Sequence, residues 1–168
     1  MKNKGVAMSQ LILQPTTLAQ WYTLVNDAEC SCSLQLDQEV ESYLVYLLMR
    51  FSDKPEMAKS ILAIEFLESL HLTGSYQSNV LREVGDKCLL YAGLFPERAE
   101  RRRVKESYFI DLGQNAYYLL ATLSESEIAR LYNSICKAFL AMRNILLEMR
   151  KESHIKVDDF SIYFNLKK

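Results

Sequence analysis

The feature that most constrains this chain is the spacing of its apolar residues, which recur every three or four positions along most of its 168 residues. That spacing places the apolar side chains on one face of an α-helix. The five glycines and three prolines are too few for the many turns of a β-sandwich or barrel. The sequence therefore predicts an all-α fold, a helical bundle of about seven helices in one domain spanning residues 1–168.

Start and stop signals divide the first half of the chain into helices. Thr17 and Gln20 form a capping-box pattern that opens the first helix. Asp37 opens the second helix, and Pro55 lies at the start of the third. Gly74 is interpreted as the end of that third helix, because glycine is common just beyond a helix C-terminus.

The second half carries fewer breaks. Pro96 stops or kinks the fourth helix, and it also suits the first position of a new helix that runs through the arginines to Leu123. Ser124 and Glu127 form another capping-box pattern, which opens a last helix whose apolar stripe continues to Met149. The stripe is wider than the seam of a two-stranded coiled coil, which favours a core helix of a bundle over an exposed zipper.

The two ends of the chain differ from this helical pattern. Residues 1–15 are expected to form an N-terminal arm, and residues 153–168 a short extended tail. In the tail, apolar residues alternate with polar ones at Phe160, Ile162, Phe164 and Leu166, which is the period of a strand. A lone strand leaves its backbone groups unpaired, so we expect the tail to pair with residues 11–13 or with a second copy of the chain.

Charge and hydropathy limit the classes of partner. The 20 basic and 21 acidic residues give a net charge of -1, so the whole protein has no field that attracts nucleic acid or anionic lipid. No segment has the apolar core of a secretion signal or the roughly 18 apolar residues of a membrane helix. We therefore expect a cytoplasmic protein that does not contact membranes.

One basic run is a candidate for nucleic-acid binding, because phosphates require clustered cations. Three acids lie within one helical turn of it, so a solvated or ion-paired helix face is the preferred interpretation. Nucleic-acid binding stays as a second alternative function. The run comprises Arg98, Arg101, Arg102, Arg103 and Lys105, and the acids are Glu97, Glu100 and Glu106.

Motifs of common enzyme classes do not occur in the sequence. Glu68 and His71 form one Glu-x-x-His pair, whereas a di-iron bundle uses two such pairs with further glutamates. The phosphate-binding glycine loops and the Gly-x-Ser-x-Gly nucleophile motif are missing. The sequence thus leans against an enzyme and predicts no catalytic residue, no metal ligand and no cofactor.

Three glycines interrupt regions that otherwise favour helix. Gly85, Gly93 and Gly113 each lower helix stability by about 1 kcal/mol relative to alanine. We expect close packing to offset this, with a neighbouring helix or an aromatic ring against the glycine backbone.

A longer pattern contains these glycines, and it resembles a set of uncharacterised bacterial proteins that share the same core. The resemblance implies a bacterial source and a functional or structural centre in this segment, but it implies no activity. The shared residues are Gly85-Asp86, Leu89, Gly93-Leu94-Phe95-Pro96-Glu97, an arginine pair, Tyr108, Leu112-Gly113 and Ala116-Tyr117.

Asp86 is the acidic residue of this core, and we expect it to form a bidentate ion pair with Arg102 or Arg103 beyond Pro96. Such a polar clamp would fix the angle between two helices. In an alternative interpretation, Asp86, Arg102, Tyr108 and Asp111 converge on a small-molecule pocket that serves binding or catalysis.

The preferred function is non-catalytic and depends on binding another protein. Ten tyrosines, six methionines and one tryptophan exceed what a core of this size requires, and these residue types are common at interfaces. The partner is unidentified, and we expect the chain to form a homodimer.

Overall fold

The structure, a computed structural model, describes residues 16–54, 66, 69–97 and 105–152. Within these ranges it contains six helices and no strand, so the all-α prediction is confirmed. None of these helices is both long and apolar enough to cross a bilayer. The helices are α1 (Thr17–Ser31), α2 (Gln38–Asp53), α3 (Gly74–Leu94), α4 (Glu106–Leu123), α5 (Ser126–Lys137) and α6 (Phe139–Glu152).

Helix α3 is the centre of the bundle. Every residue from Val84 to Leu94 is buried, including Asp86 and Lys87. Its most extensive packing is against α4 and α6. Because this second half of α3 is buried around its whole circumference, it must contact several neighbouring helices.

Helices α1 and α2 form a hairpin held by two side-chain hydrogen bonds. The Tyr22 hydroxyl donates to Ser42 Oγ at 2.7 Å. The buried Glu29 carboxylate accepts from the Leu36 N–H at 2.8 Å, which satisfies a backbone donor in the connection between the helices.

The starts of the first helices lie close to the predicted positions. The side chain of Thr16, not Thr17, caps α1 by accepting from the Ala19 N–H at 3.2 Å. Asp37 precedes α2 as expected. Gly74 does not end a helix but begins α3, with a φ of 65° that glycine adopts readily. The predicted third helix, which starts at Pro55, lies almost wholly outside the described residues.

Two predictions for the second half are wrong. Lys105 has extended backbone angles, with φ -66° and ψ 143°, so α4 begins at Glu106 and no single helix runs from Pro96 to Leu123. Ser124 does not cap the next helix. Its hydroxyl donates to the Leu120 carbonyl at 2.6 Å and so completes the end of α4.

The predicted last helix is two helices, because the chain leaves helical geometry at Ala138, where φ is -85° and ψ is 3°. Both pieces still turn apolar residues inward, since Ile135 of α5 and Phe139 of α6 have no exposed surface. The apolar stripe was therefore predicted correctly as a core face, but its continuity was not.

Helix α6 is joined to the rest of the bundle by two ion pairs. Arg143 contacts Glu106, and Arg150 contacts Glu97. The sequence placed these two acids within reach of the basic run, and among the described residues both contact arginines of α6. Residues 98–104 lie outside the described residues, as do the N-terminal arm and the extended tail.

Candidate functional site

The Asp86 side chain is fully buried and accepts hydrogen bonds from three residues on two other helices. The hydroxyls of Tyr43 on α2 and Tyr117 on α4 both donate to Oδ1, at 2.5 and 2.7 Å. The Arg50 guanidinium, also on α2, forms an ion pair with Oδ2. One carboxylate on α3 thus joins α2, α3 and α4.

The electrostatics of this cluster keep both phenols neutral. Burial, followed by the Asp86 charge, raises the pKa of Tyr43 and of Tyr117 well above the usual value. For Arg50, burial lowers the pKa, but the neighbouring Asp86 carboxylate outweighs it and the net shift is upward. Two permanent hydroxyl donors and a permanent cation therefore surround the carboxylate.

Tyr132 of α5 extends the cluster through its ring. It stacks on Tyr117 with ring centroids 6.3 Å apart and meets the edge of Tyr43 at 6.1 Å. Burial raises the pKa of Tyr132, and the charge of Arg82, together with its hydrogen bond, opposes that rise. The three rings form one aromatic unit between α2, α4 and α5.

This arrangement is suited to holding helices together. Asp86 already accepts from three donors, so little of its hydrogen-bonding capacity is left for a substrate. A proton carrier near neutral pH would need a pKa close to 7, and the pKa values of Tyr43 and Tyr117 move in the opposite direction. The cluster is best described as a buried polar clamp.

The residues predicted for the clamp are only partly brought together. Asp86 is buried, but the partner found for it is Arg50, while Arg102 and Arg103 lie outside the described residues. Tyr108 and Asp111 are exposed on α4 and do not contact Asp86, whose contact on that helix is Tyr117.

The three glycines each lie directly against a neighbouring side chain. A Cβ added to Gly85 would come within 2.6 Å of the Tyr117 ring, and one added to Gly93 within 2.5 Å of Leu146 Cβ. At Gly113 the nearest atoms belong to the Phe139 ring, at 2.6 Å. The absence of a side chain at Gly85 thus lets the Tyr117 ring pass and its hydroxyl reach Asp86, the next residue of α3.

Sequence reasoning missed Tyr43, Arg50 and Tyr117 as partners of Asp86. A signal was present, because Tyr43 and Arg50 are seven residues apart and so share one face of α2 with apolar neighbours. A long cation on an otherwise apolar helix face indicates a buried acceptor on the facing helix.

Two open depressions border the clamp. The first, the α2–α5 groove, has a volume of about 540 Å³. The second, the Arg82 cleft, lies between α3, α4 and α5 and has a volume of about 350 Å³. Tyr43 lines the first and Tyr132 the second, so each depression has a wall fixed by the buried cluster. The groove is lined by Gln38, Glu39, Ser42, Tyr43, Tyr46, Glu127, Ile128 and Leu131.

Comparison of the chain with models of protein families, with curated proteins and with solved structures found no match.

Proposed function

We propose that the protein acts without catalysis, by binding a segment of another protein in the α2–α5 groove. The observation that supports this most directly is the pair of large apolar side chains exposed on the two walls. Tyr46 of α2 is 57% exposed and Ile128 of α5 is 56% exposed. Exposed aromatic and aliphatic side chains beside a concave surface are typical of sites that receive a peptide.

The charges around the groove specify the kind of partner. Glu39 on α2 and Glu127 on α5 place a carboxylate on each wall, and both residues are exposed. A segment with lysine or arginine beside its apolar residues would complement both acids. We infer that the occupant is an amphipathic segment whose apolar side chains contact Tyr46 and Ile128 and whose basic residues flank them.

The buried clamp supports a binding role because it makes the groove rigid. Tyr43 lines the groove, and its hydroxyl is held by Asp86. A wall that is already ordered loses little conformational entropy when a ligand binds, which favours affinity.

A peptide library displayed on phage tests the proposal. Binders selected on the full chain are expected to combine apolar residues with lysine or arginine. Tyr46→Ala should weaken a selected peptide about tenfold or more, because truncating an exposed aromatic anchor removes a large part of the contact energy. Tyr118→Ala on α4 is the matched control, since Tyr118 is 56% exposed but does not line the groove.

The contribution of the groove's carboxylates is tested by the association and dissociation rates of a selected peptide. Glu39→Gln should slow association at low salt and change the dissociation rate little, because exposed charges act mainly on encounter. Selected peptides that bind the Tyr46→Ala variant as tightly as the wild type would refute the groove as the binding surface.

The expected homodimer stays a prediction. Analytical ultracentrifugation of the wild type and of Tyr46→Ala would show whether a second copy of the chain uses this groove.

A further inference from the structure

The Arg82 cleft combines a polar wall with an apolar wall. The polar wall belongs to α3, where four residues at relative positions 0, 3, 4 and 7 share one face of the helix. The apolar wall belongs to α4 and α5. A volume of about 350 Å³ lies in the range that holds small organic molecules. The polar residues of α3 are Ser75, Ser78, Asn79 and Arg82, and the apolar ones of the facing wall are Leu120, Leu123 and Ile128. Ser124, Glu125 and Tyr132 complete the lining on the side of α4 and α5.

Arg82 is distinguished by what surrounds its charge. Three other arginines of the described ranges form ion pairs with carboxylates from other parts of the bundle, namely Arg50, Arg143 and Arg150. In the same part of the chain no carboxylate lies within ion-pair distance of Arg82, whose neighbour is the Tyr132 hydroxyl. Among the described residues its buried Nε–H has no hydrogen-bond acceptor, and the same is true of Arg50 and Arg143. Those two arginines, however, have a carboxylate at another guanidinium nitrogen.

A guanidinium in this setting favours an anion. Its planar set of N–H donors matches the two oxygens of a carboxylate or phosphate. Ser78 and Asn79 add a hydroxyl and an amide donor on the same face. Leu123 and Ile128, each at least half exposed, offer apolar surface to the remainder of a ligand.

We propose that the Arg82 cleft binds a small organic anion, with one carboxylate or phosphate group at Arg82 and an apolar body against Leu123 and Ile128. Glu125 also lines the cleft, and its carboxylate repels additional negative charge. The site therefore selects molecules with a single anionic group over polyanions such as nucleic acid. The cleft adjoins the groove of the proposed function, because Ile128 lines both, but Tyr46 lines only the groove and Arg82 only the cleft.

Nuclear magnetic resonance of the full chain, with the Arg82 Nε–H resonance as reporter, tests the proposal. The probes are hexanoate, hexyl phosphate and inorganic phosphate, with hexanol as the uncharged control. We expect saturable shifts of that resonance with hexanoate or hexyl phosphate, and no such shift with hexanol. The tighter of the two alkyl anions identifies the preferred head group.

Two variants separate the charged and apolar contributions. Arg82→Gln should weaken binding of the preferred alkyl anion at least tenfold, whereas Arg130→Gln on the solvent side of α5 should not change it. Leu123→Ser should weaken the alkyl anions but leave inorganic phosphate unaffected, because Leu123 contacts only the apolar body. Leu123 is half exposed, so this substitution leaves the core intact.

The proposal is overturned if neither alkyl anion produces a saturable shift, or if Arg82→Gln binds as tightly as the wild type. It is also overturned if hexanol matches hexanoate, since recognition would then be apolar only. Should Arg82→Gln fail to fold, the proposal is still tested by the resonance shifts of the wild type with the alkyl anions and hexanol, and by the affinity of Leu123→Ser for the alkyl anions. If the Tyr46→Ala variant binds the preferred alkyl anion as tightly as the wild type, the cleft functions independently of the groove.

Discussion

Replacing Asp86 by alanine is the most direct test of the buried clamp. The change removes the acceptor of two tyrosine hydroxyls and the counterion of Arg50 at the same time. Tyr117 is fully buried, so its hydroxyl has no access to water as a substitute partner. The Arg50 side chain is 38% exposed and regains part of its hydration by turning outward.

These contacts set the size of the effect. A buried polar group left without a partner costs about 1–3 kcal/mol, and breaking a buried ion pair by removing one partner costs about 3–5 kcal/mol. Because Arg50 is partly exposed, we take the lower end and expect Asp86→Ala to reduce the free energy of unfolding by about 3 kcal/mol. That is a large share of the roughly 5–15 kcal/mol that stabilises a typical domain.

Urea denaturation followed by far-ultraviolet circular dichroism measures this loss. Asp111→Ala is the matched control, because Asp111 is an exposed aspartate on α4, and we expect it to change stability by less than about 0.5 kcal/mol. Tyr117→Phe should cost about 1 kcal/mol, and Asp86→Ala should cost less in that background than in the wild type. Equal small losses for Asp86→Ala and Asp111→Ala would refute the clamp.

Two further perturbations follow from the same packing. Burial and then the Asp86 charge raise the pKa of Tyr117 above its usual 10.0, so the folded state retains a proton that the unfolded state loses. The contribution of this proton to the free energy of unfolding should therefore be fully present below about pH 10 and be lost as the pH rises further. In urea melts at alkaline pH, Tyr117→Phe should show a smaller loss of stability with pH than the wild type. Gly93→Ala should destabilise by about 1–2 kcal/mol despite alanine's better helix propensity, because its Cβ meets Leu146 Cβ at 2.5 Å. A more stable Gly93→Ala variant in thermal melts would show that α6 shifts freely.

The helical class was predictable because it depends on local information. Apolar periodicity and the scarcity of glycine and proline are readable from any short window of the sequence. Several helix ends were less predictable. Lys105 lies in an arginine-rich segment that favours helix, yet its backbone is extended, and no residue beside it signals the break. Similarly, Ser124 and Glu127 fit a capping box, but Ser124 bonds backward to α4.

The buried acid was predictable, but its partner was not. Asp86 lies among apolar residues at helical spacing, so the sequence alone indicates that it faces the core. Which cation reaches it depends on how α2 packs against α3, and that packing is a property of the whole bundle. The position of Arg50 on the apolar face of α2 indicates a buried acceptor on a facing helix, but it does not identify Asp86, which lies 36 residues away in the chain.

The clamp and the two depressions are connected through three aromatic rings. Tyr43 forms part of the groove wall, Tyr132 forms part of the cleft wall, and Tyr117 contacts both rings from the core. Only Tyr43 and Tyr117 bond directly to Asp86, whereas Tyr132 is positioned by stacking on Tyr117 and by Arg82. The buried polar clamp therefore supports the groove and the cleft, although Asp86 itself lines neither. Residues that bind a partner or a ligand should then be sought on those surfaces, at Tyr46 and Arg82, and not at the buried acid.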